Sequence, residues 1–141
     1  QNHGDLLTEH PEQCSPLLQD WLKRGQSVSD SDYQQACQWC DRYRKLLAPV
    51  FAQYDAVLSP VTTGPAPLGL DNTGSPIFCG LWTLCGLPAL TMPLGYTANG
   101  LPLGCQLVGK FYNDRQLLQT AAHCWQILKT FFGDIEIPTK L

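Results

Sequence analysis

Two short apolar runs in the second half of the chain constrain the fold most strongly. They occupy residues 89–94 and 104–109, with an Asn-Gly pair at residues 99–100 between them. Pro88 and Pro102 each precede a run, where proline suits the start of a strand and removes no hydrogen bond from its interior. Because an Asn-Gly pair between apolar runs favours a tight turn, this pattern predicts a β-hairpin.

The first part of the chain carries helix signals. A Ser-Pro pair at residues 15–16 predicts a helix that ends at Gly25, because serine caps the amino end, proline fits the first turn and glycine follows the last. A longer helix is expected to start at Ser29, with Asp32 three positions on as in a capping box. Its apolar residues recur at helical spacing, so one face should be buried. Pro49 should kink or break this helix near its end.

The middle of the chain predicts one strand, one loop and two further helices. Residues 55–60 form a short apolar run closed by proline, which indicates a buried strand, and residues 61–74 hold three glycines and two prolines, which indicate a loop. A Ser-Pro pair at residues 75–76 opens a helix that stops at Gly86; it is apolar on nearly every side and should be buried all round. The last helix should start at Asn113. Helices that alternate with short strands are typical of the α/β class.

Composition limits the classes of function. Charged residues make up 15% of the 141-residue chain, against about 25% in typical domains, so part of the surface is expected to be covered by something else. The net charge is −3 and the basic residues are scattered, which argues against nucleic acid as a partner. The seven cysteines show no regular spacing, and no apolar stretch is long enough to span a membrane. We therefore expect a soluble, cytoplasmic protein with reduced thiols and no membrane partner.

Three segments carry a distinctive set of phrases, in order along the chain. Residues 54–62 read Tyr-Asp-Ala-Val-Leu-Ser-Pro-Val-Thr, and residues 85–95 contain Gly-Leu-Pro-Ala before a strand and Pro-Leu-Gly after it. Residues 100–109 read Gly-Leu-Pro-Leu-Gly-Cys-Gln-Leu-Val-Gly. This ordered set resembles the amidase signature family, and the resemblance covers about residues 10–130. It implies that residues 1–141 are a C-terminal fragment of an amidase domain, in which helices flank a mixed β-sheet, with residues 134–141 as a polar tail.

The resemblance implies a chemistry for which this chain lacks the reacting groups. Family members hydrolyse carboxamides, or transfer their ammonia, with a serine nucleophile, a second serine and a lysine base, and the resemblance implies no cofactor and no metal. Serine needs such a base to take its proton, and backbone N–H groups to hold the oxyanion. In the family these parts lie before the region that this chain matches, so no catalytic residue is carried over. None of the six serines lies in a Gly-Gly-Ser-Ser-like run: Ser15, Ser27, Ser29, Ser31, Ser59 and Ser75.

The resemblance does imply candidate substrate-binding residues. In the family, the segment before the Gly-Leu-Pro phrase helps to line the acyl site. The matching residues here are Thr73, Ile77, Phe78, Leu81 and Trp82. Burial in the core is the alternative role for each of them.

Two hypotheses for function follow from these observations. The first is that the chain is the distal part of an amidase acting on linear amides, and that it is inactive alone because the serines and lysine are absent. Its partners would be a small-molecule amide substrate and the N-terminal part of the amidase domain. A second copy of the chain, forming a homodimer, is a further candidate partner. The alternative is a non-catalytic truncated or split-gene module, a partner protein or pseudoenzyme.

Two cysteine features suggest other chemistry. Cys37 and Cys40 have the spacing of a redox or zinc pair, but no second pair exists and both fall on the apolar stripe of a helix. We therefore expect them to be core thiols. His123 and Cys124 are neighbours on the last helix, where adjacent side chains point in different directions, so a Cys-His catalytic pair is not expected.

Overall fold

The computed structural model describes Asp5 and residues 9–132. A single 3₁₀ turn at Pro11–Gln13 is followed by four α-helices and three β-strands: α1 Pro16–Gln26, α2 Asp30–Gln53, β1 Val57–Pro60, α3 Ile77–Leu84, β2 Ala89–Tyr96, β3 Pro102–Val108 and α4 Asp114–Phe132. The chain divides into two compact units, Gln1–Asp41 and Arg42–Leu141. The predicted polar tail, residues 134–141, lies outside the described residues.

Helix α1 begins where the sequence predicts and ends later. The Ser15 hydroxyl accepts a hydrogen bond from the Leu18 N–H at 3.3 Å, as a capping serine should. Gly25 lies inside the helix, which runs on to Gln26, so the predicted end is wrong. The helix extends one residue past Gly25, because glycine in a helix costs only about 1 kcal/mol relative to alanine.

Helix α2 has the predicted start but not the predicted break. The Ser29 hydroxyl accepts from the Asp32 N–H at 3.1 Å, which is the first hydrogen bond of the expected capping box. The Asp32 carboxylate accepts from the Ser29 hydroxyl at 2.7 Å, whereas in a capping box it would accept from the backbone N–H. Pro49 lies within the helix, which continues to Gln53. Pro49 is exposed, so water can reach the carbonyl that its ring leaves unpaired. The sequence predicts that one face of this helix is buried. This prediction is wrong for the part of the helix in the first unit, where Tyr33 is 66% exposed.

The second unit contains a three-stranded sheet in the order β1-β3-β2. Strands β2 and β3 form the predicted hairpin. Its turn is closed by Thr97, whose N–H donates to the Leu101 carbonyl at 2.8 Å and whose hydroxyl accepts from the Leu101 N–H at 3.0 Å. The α/β class with flanking helices is confirmed. Both strand pairings among the described residues are antiparallel. The predicted mixed sheet would also contain a parallel pair, and these strands do not form one.

Strand β3 directs alternate side chains into two apolar clusters, because successive side chains of a strand point to opposite faces. Cys105 and Leu107 pack with Met92 and with Leu117 and Ala121 of α4. Val108 faces the other way and packs with two buried residues and with six partly buried side chains. These eight are Cys85, Leu87, Tyr43, Leu47, Phe51, Val57, Trp82 and Phe111. Helix α4 therefore covers one face of the sheet, while α3 and the last part of α2 cover the other.

Two elements are more exposed than their sequence predicts. Strand β1 lies at an edge of the sheet and Leu58 is 65% exposed, so the expected buried strand is wrong. Helix α3 has no buried residue and Ile77 is 68% exposed, so burial all round is also wrong. Both segments are apolar enough for a core, but the described residues do not supply the surface that would cover them. Within the described part of the chain, no helix combines the length and apolar character needed to cross a membrane.

Candidate functional site

The side chain of Gln106, in the central strand β3, joins three segments of the chain. It is 3% exposed, and its amide nitrogen lies 2.9 Å from the Ser59 hydroxyl oxygen, 2.9 Å from the Pro60 carbonyl oxygen and 2.7 Å from the Phe78 carbonyl oxygen. An amide group has only two hydrogens to donate, so three acceptors share them. One buried side chain thus ties the end of β1 to the first turn of α3.

The thiol of Cys79 extends this network to the following loop. Its sulfur lies 3.2 Å from the Val61 carbonyl oxygen and 4.0 Å from the Gln106 amide oxygen. Val61 is the first residue of the loop over residues 61–74, and Cys79 lies in α3. The Cys79 thiol therefore holds the start of the loop against the helix, next to the contacts that Gln106 makes with the end of β1.

The other end of α3 is held by Arg44 from helix α2. The Arg44 Nε donates to the Cys85 carbonyl at 2.7 Å, and its guanidinium carbon lies 4.4 Å from the centre of the Phe111 ring. A cation suits this position, because the carboxyl end of a helix carries partial negative charge. Gly86 follows with φ of +62°, and a Cβ there would lie 3.3 Å from the Phe111 ring. The Gly-Leu-Pro phrase therefore begins at a tight, crowded turn where glycine is required.

The five predicted substrate-binding residues lie on or just before α3, between these two anchors. Thr73, Ile77 and Leu81 are exposed, whereas Phe78 and Trp82 are half-buried. The Trp82 ring packs against the cluster around Val108, and its buried Nε1 donor has no hydrogen-bond partner among the described residues. Their function as a substrate-binding wall stays a prediction.

A separate cavity of about 490 Å³ lies on the opposite face of the sheet, beneath α4. Its lining combines the residues between α2 and β1 with one face of the sheet and the second half of α4. These residues are Gln53, Tyr54, Asp55, Ala56, Leu58, Met92, Leu94, Cys105, Leu107, Thr120, Cys124, Ile127 and Leu128. Burial raises the pKa of the Cys105 thiol; a backbone hydrogen bond opposes this shift and the nearby Cys124 adds to it. None of the five predicted substrate-binding residues lines this cavity.

The remaining candidate groups have structural roles or are exposed. Cys37 is exposed and Cys40 is half-buried, so the expectation of core thiols is wrong for Cys37. All seven cysteines are free thiols. No hydrogen bond found among the described residues joins a serine hydroxyl to a lysine amine; the Ser59 hydroxyl, for example, contacts the Gln106 amide and the Pro60 carbonyl. In the described part of the chain, no group of three or more His, Cys, Asp or Glu residues could hold a metal ion.

Each segment of the family resemblance has a physical function in this fold. A Cβ at Gly104 would lie 3.2 Å from the Met92 carbonyl oxygen, and one at Gly109 would lie 3.0 Å from the Leu117 Cβ. These glycines therefore permit close approach of neighbouring segments. Gln106, in the same phrase, was missed by the sequence analysis. The signal that could have revealed it is a single amide side chain within an apolar strand, since a buried polar group must find hydrogen-bond partners.

Comparison with known proteins identifies the family. The family model for amidases matches residues 5–118, so the chain belongs to the amidase family. It is 34% identical over 91 residues to the A subunit of glutamyl-tRNA(Gln) amidotransferase from Brevibacillus brevis, which covers 60% of this chain and 18% of the relative. It is 40% identical over 96 residues to the corresponding protein from a Psychrobacter species, which covers 67% of this chain and 17% of that one.

The fold agrees with that of solved amidases. A crystal structure of an amidase superposes with a TM-score of 0.77 at 28% identity, covering 89% of this chain and 31% of the solved one. The chain thus spans less than a third of the length of this structure, and less than a fifth of the two curated relatives.

Proposed function

We propose that the chain is the C-terminal portion of an amidase signature hydrolase that cleaves the carbon–nitrogen bond of linear carboxamides through a serine acyl-enzyme. The observation that carries this proposal is the family match over residues 5–118. The three family phrases support it, because they occupy β1, the turn into β2, and β3, in that order along the chain. The similarity to an amidase and to glutamyl-tRNA(Gln) amidotransferases supports chemistry at an amide.

The catalytic serines and lysine of this hydrolase lie, in our proposal, outside residues 1–141, so that this chain alone is inactive. A serine attacks a carbonyl only when a base in hydrogen-bond reach takes its proton and N–H donors hold the oxyanion. Ser59 is the only serine in the three family phrases. Its hydroxyl accepts from the Gln106 amide at 2.9 Å, and an amide nitrogen is a donor that cannot take the proton.

The segment around α3 would contribute one wall of the substrate's acyl site in the complete enzyme. Thr73, Ile77 and Leu81 are exposed, so their side chains are available for contact, and Phe78 and Trp82 would support them from the half-buried side. In this proposal, the anchors at both ends of α3 are positioning residues, which fix the wall without touching the substrate.

The N-terminal part of the amidase domain is the partner that this proposal requires. Exposed apolar side chains on α3, such as Ile77 and Leu84, support a missing covering surface, since large apolar patches on proteins commonly mark interaction sites. The much greater length of the relatives supports the same partner. The seven free thiols support a reducing compartment such as the cytoplasm.

The test compares the 141-residue chain with a product extended upstream through the coding sequence, to include any lysine and Gly/Ser-rich segment found there. Both proteins are incubated with a panel of linear carboxamides, and released ammonia or amine is measured. We expect turnover by the extended product and none by the shorter chain. Turnover by the shorter chain that disappears in Ser59→Ala would contradict the proposal. A folded, extended product that lacks the serines and lysine would support the non-catalytic alternative instead.

A further inference from the structure

The cavity beneath α4 carries an inference that goes beyond the proposed function. We propose that this cavity binds a primary aliphatic amine, with the hydrocarbon chain among the apolar lining residues and the ammonium group beside Asp55. The site lies wholly within the second unit, because every lining residue falls between Gln53 and Leu128.

The size and lining of the cavity fit a small hydrocarbon. Its volume of about 490 Å³ falls within the roughly 300–1,000 Å³ usual for small-molecule sites. The inner wall is formed by Met92, Cys105 and Leu107, all of them buried, and α4 supplies Ile127 and Leu128. The buried thiol on this wall does not make it polar, because burial raises the pKa of Cys105 and favours its neutral form. The hydrocarbon chain of a ligand bound here would leave water and contact apolar side chains of the sheet on one side and of α4 on the other.

Apart from Thr120 on α4 and the two thiols, the polar side chains of the cavity lie together in the chain, where α2 leads into β1. Gln53, Tyr54 and Asp55 are consecutive, and all three are exposed. Asp55 is the only Asp, Glu, Lys, Arg or His among the lining residues, and it has no ion-pair partner among the described residues. A ligand with one cationic end therefore complements this lining better than a neutral or anionic one.

The same cavity lies on the other side of the sheet from the predicted substrate-binding residues. Cys105 and Leu107 of β3 face the cavity, whereas Gln106 and Val108 face the side on which Phe78 and Trp82 lie. Occupation of the cavity therefore does not depend on an amide substrate or on catalysis. A failure of amine binding and a failure of the proposed amidase activity are separately measurable.

The experiment titrates the ¹⁵N-labelled 141-residue chain with hexylamine hydrochloride and follows amide chemical shifts, with calorimetry for affinity. We expect saturable shifts confined to residues 53–58, 92–94, 105–107 and 120–128. Each buried methylene contributes about 0.8 kcal/mol, which is about a fourfold change in Kd, so hexylamine should bind roughly fifteenfold more tightly than butylamine. Hexanoate, with the opposite charge, should bind more weakly than hexan-1-ol.

Three variants separate the contributions of charge and cavity. Asp55→Asn should weaken hexylamine binding by about two- to fivefold and leave hexan-1-ol unchanged, as expected for an exposed ion pair. Thr120→Phe places an aromatic ring in the cavity and should abolish binding of both ligands. Leu118→Phe is the matched control, because Leu118 lies on the same helix, is exposed and does not line the cavity. If Thr120→Phe fails to fold, Ile127→Trp at the rim serves the same purpose.

Several results would overturn the proposal. One is the absence of saturable binding by hexylamine. Another is a set of shifts spread over exposed apolar residues elsewhere, such as Leu68 and Leu70, since this pattern indicates non-specific adhesion. Equal binding by wild type and a folded Thr120→Phe or Ile127→Trp would place the ligand outside the cavity. Equal binding of hexylamine and hexan-1-ol, unchanged in Asp55→Asn, would refute the choice of an amine.

Discussion

Replacement of Gln106 by leucine is the change that should disturb the fold around α3 most specifically. Leucine has a similar size but cannot donate. The Phe78 carbonyl, 2.7 Å from the amide nitrogen, would lose this donor, and the Pro60 carbonyl would keep only the Ser59 hydroxyl at 3.2 Å. A buried acceptor left without a partner costs about 1–3 kcal/mol. Since Phe78 is half-buried and Pro60 is exposed and still accepts from Ser59, we expect a loss near one such penalty, about 1–3 kcal/mol in the free energy of unfolding. That is a large fraction of the roughly 5–15 kcal/mol typical of a domain.

Urea unfolding followed by tryptophan fluorescence measures this loss, with Gln119→Leu as the control. Gln119 is exposed on α4, so its replacement should change the free energy of unfolding by less than about 0.5 kcal/mol. Amide hydrogen exchange should accelerate in residues 58–61 and 77–80 of Gln106→Leu. A stability within about 0.5 kcal/mol of wild type would refute the view that this amide holds the segments together.

Gln106→Glu tests the direction of the hydrogen bonds. A buried carboxylate would face carbonyl oxygens, so its folded-state pKa should rise above the unfolded value. The variant should therefore be most stable at acid pH, where the neutral acid can still donate one hydrogen bond, and should lose stability as pH rises through the folded-state pKa. If Gln106→Glu differs from wild type by the same free energy of unfolding at pH 4 and at pH 7, the assignment of the Gln106 amide nitrogen as the donor is wrong.

Four further predictions concern other positions. In Gly109→Ala, the added Cβ would lie 3.0 Å from the Leu117 Cβ, so urea unfolding should show a loss of about 1–3 kcal/mol. Gly25→Ala, which has open space around it inside α1, should instead gain about 0.5–1 kcal/mol, and a loss there would contradict its placement. Ser15→Ala removes the α1 cap and should cost about 0.5–2 kcal/mol in urea unfolding, whereas an unchanged midpoint would show that the cap is not formed. Burial raises the pKa of the Cys105 thiol, so with rising pH the unfolded state should lose this proton before the folded state does. The free energy of unfolding should therefore fall as pH rises from the ordinary thiol range through the raised pKa. Cys105→Ala should remove this part of the fall.

Local signals in the sequence predicted the starts of α1 and α2 and the hairpin, whereas α3 begins at Ile77 without a side-chain hydrogen bond from its N-cap residue. The capping hydrogen bonds of Ser15 and Ser29 each join residues three positions apart, so they hardly depend on the rest of the fold. The hairpin turn is equally local, and Thr97 and Leu101 close it without help from other elements. The helix ends were less predictable, because α1 continues past Gly25 and α2 past Pro49, although glycine costs about 1 kcal/mol and proline about 3 kcal/mol inside a helix.

Burial and the details of the site were beyond the reach of local patterns. The apolar runs around Leu58 and Ile77 indicated burial, but a pattern cannot say whether the covering surface belongs to the same chain. The contacts of Gln106 depend on strand register, which places Ser59 directly opposite it, and on the position of α3. The cavity beneath α4 arises from the spacing between a helix and a sheet, which no sequence period encodes.

The most direct test of the proposed function asks where the nucleophile is. The 141-residue chain and the upstream-extended product are treated with a fluorophosphonate, which labels activated serines, and the labelled peptide is identified by mass spectrometry. We expect a label only in the extended product, on a serine before residue 1 of this chain. A stoichiometric label on Ser59, or on any other serine within residues 1–141, would contradict the proposed location of the catalytic groups.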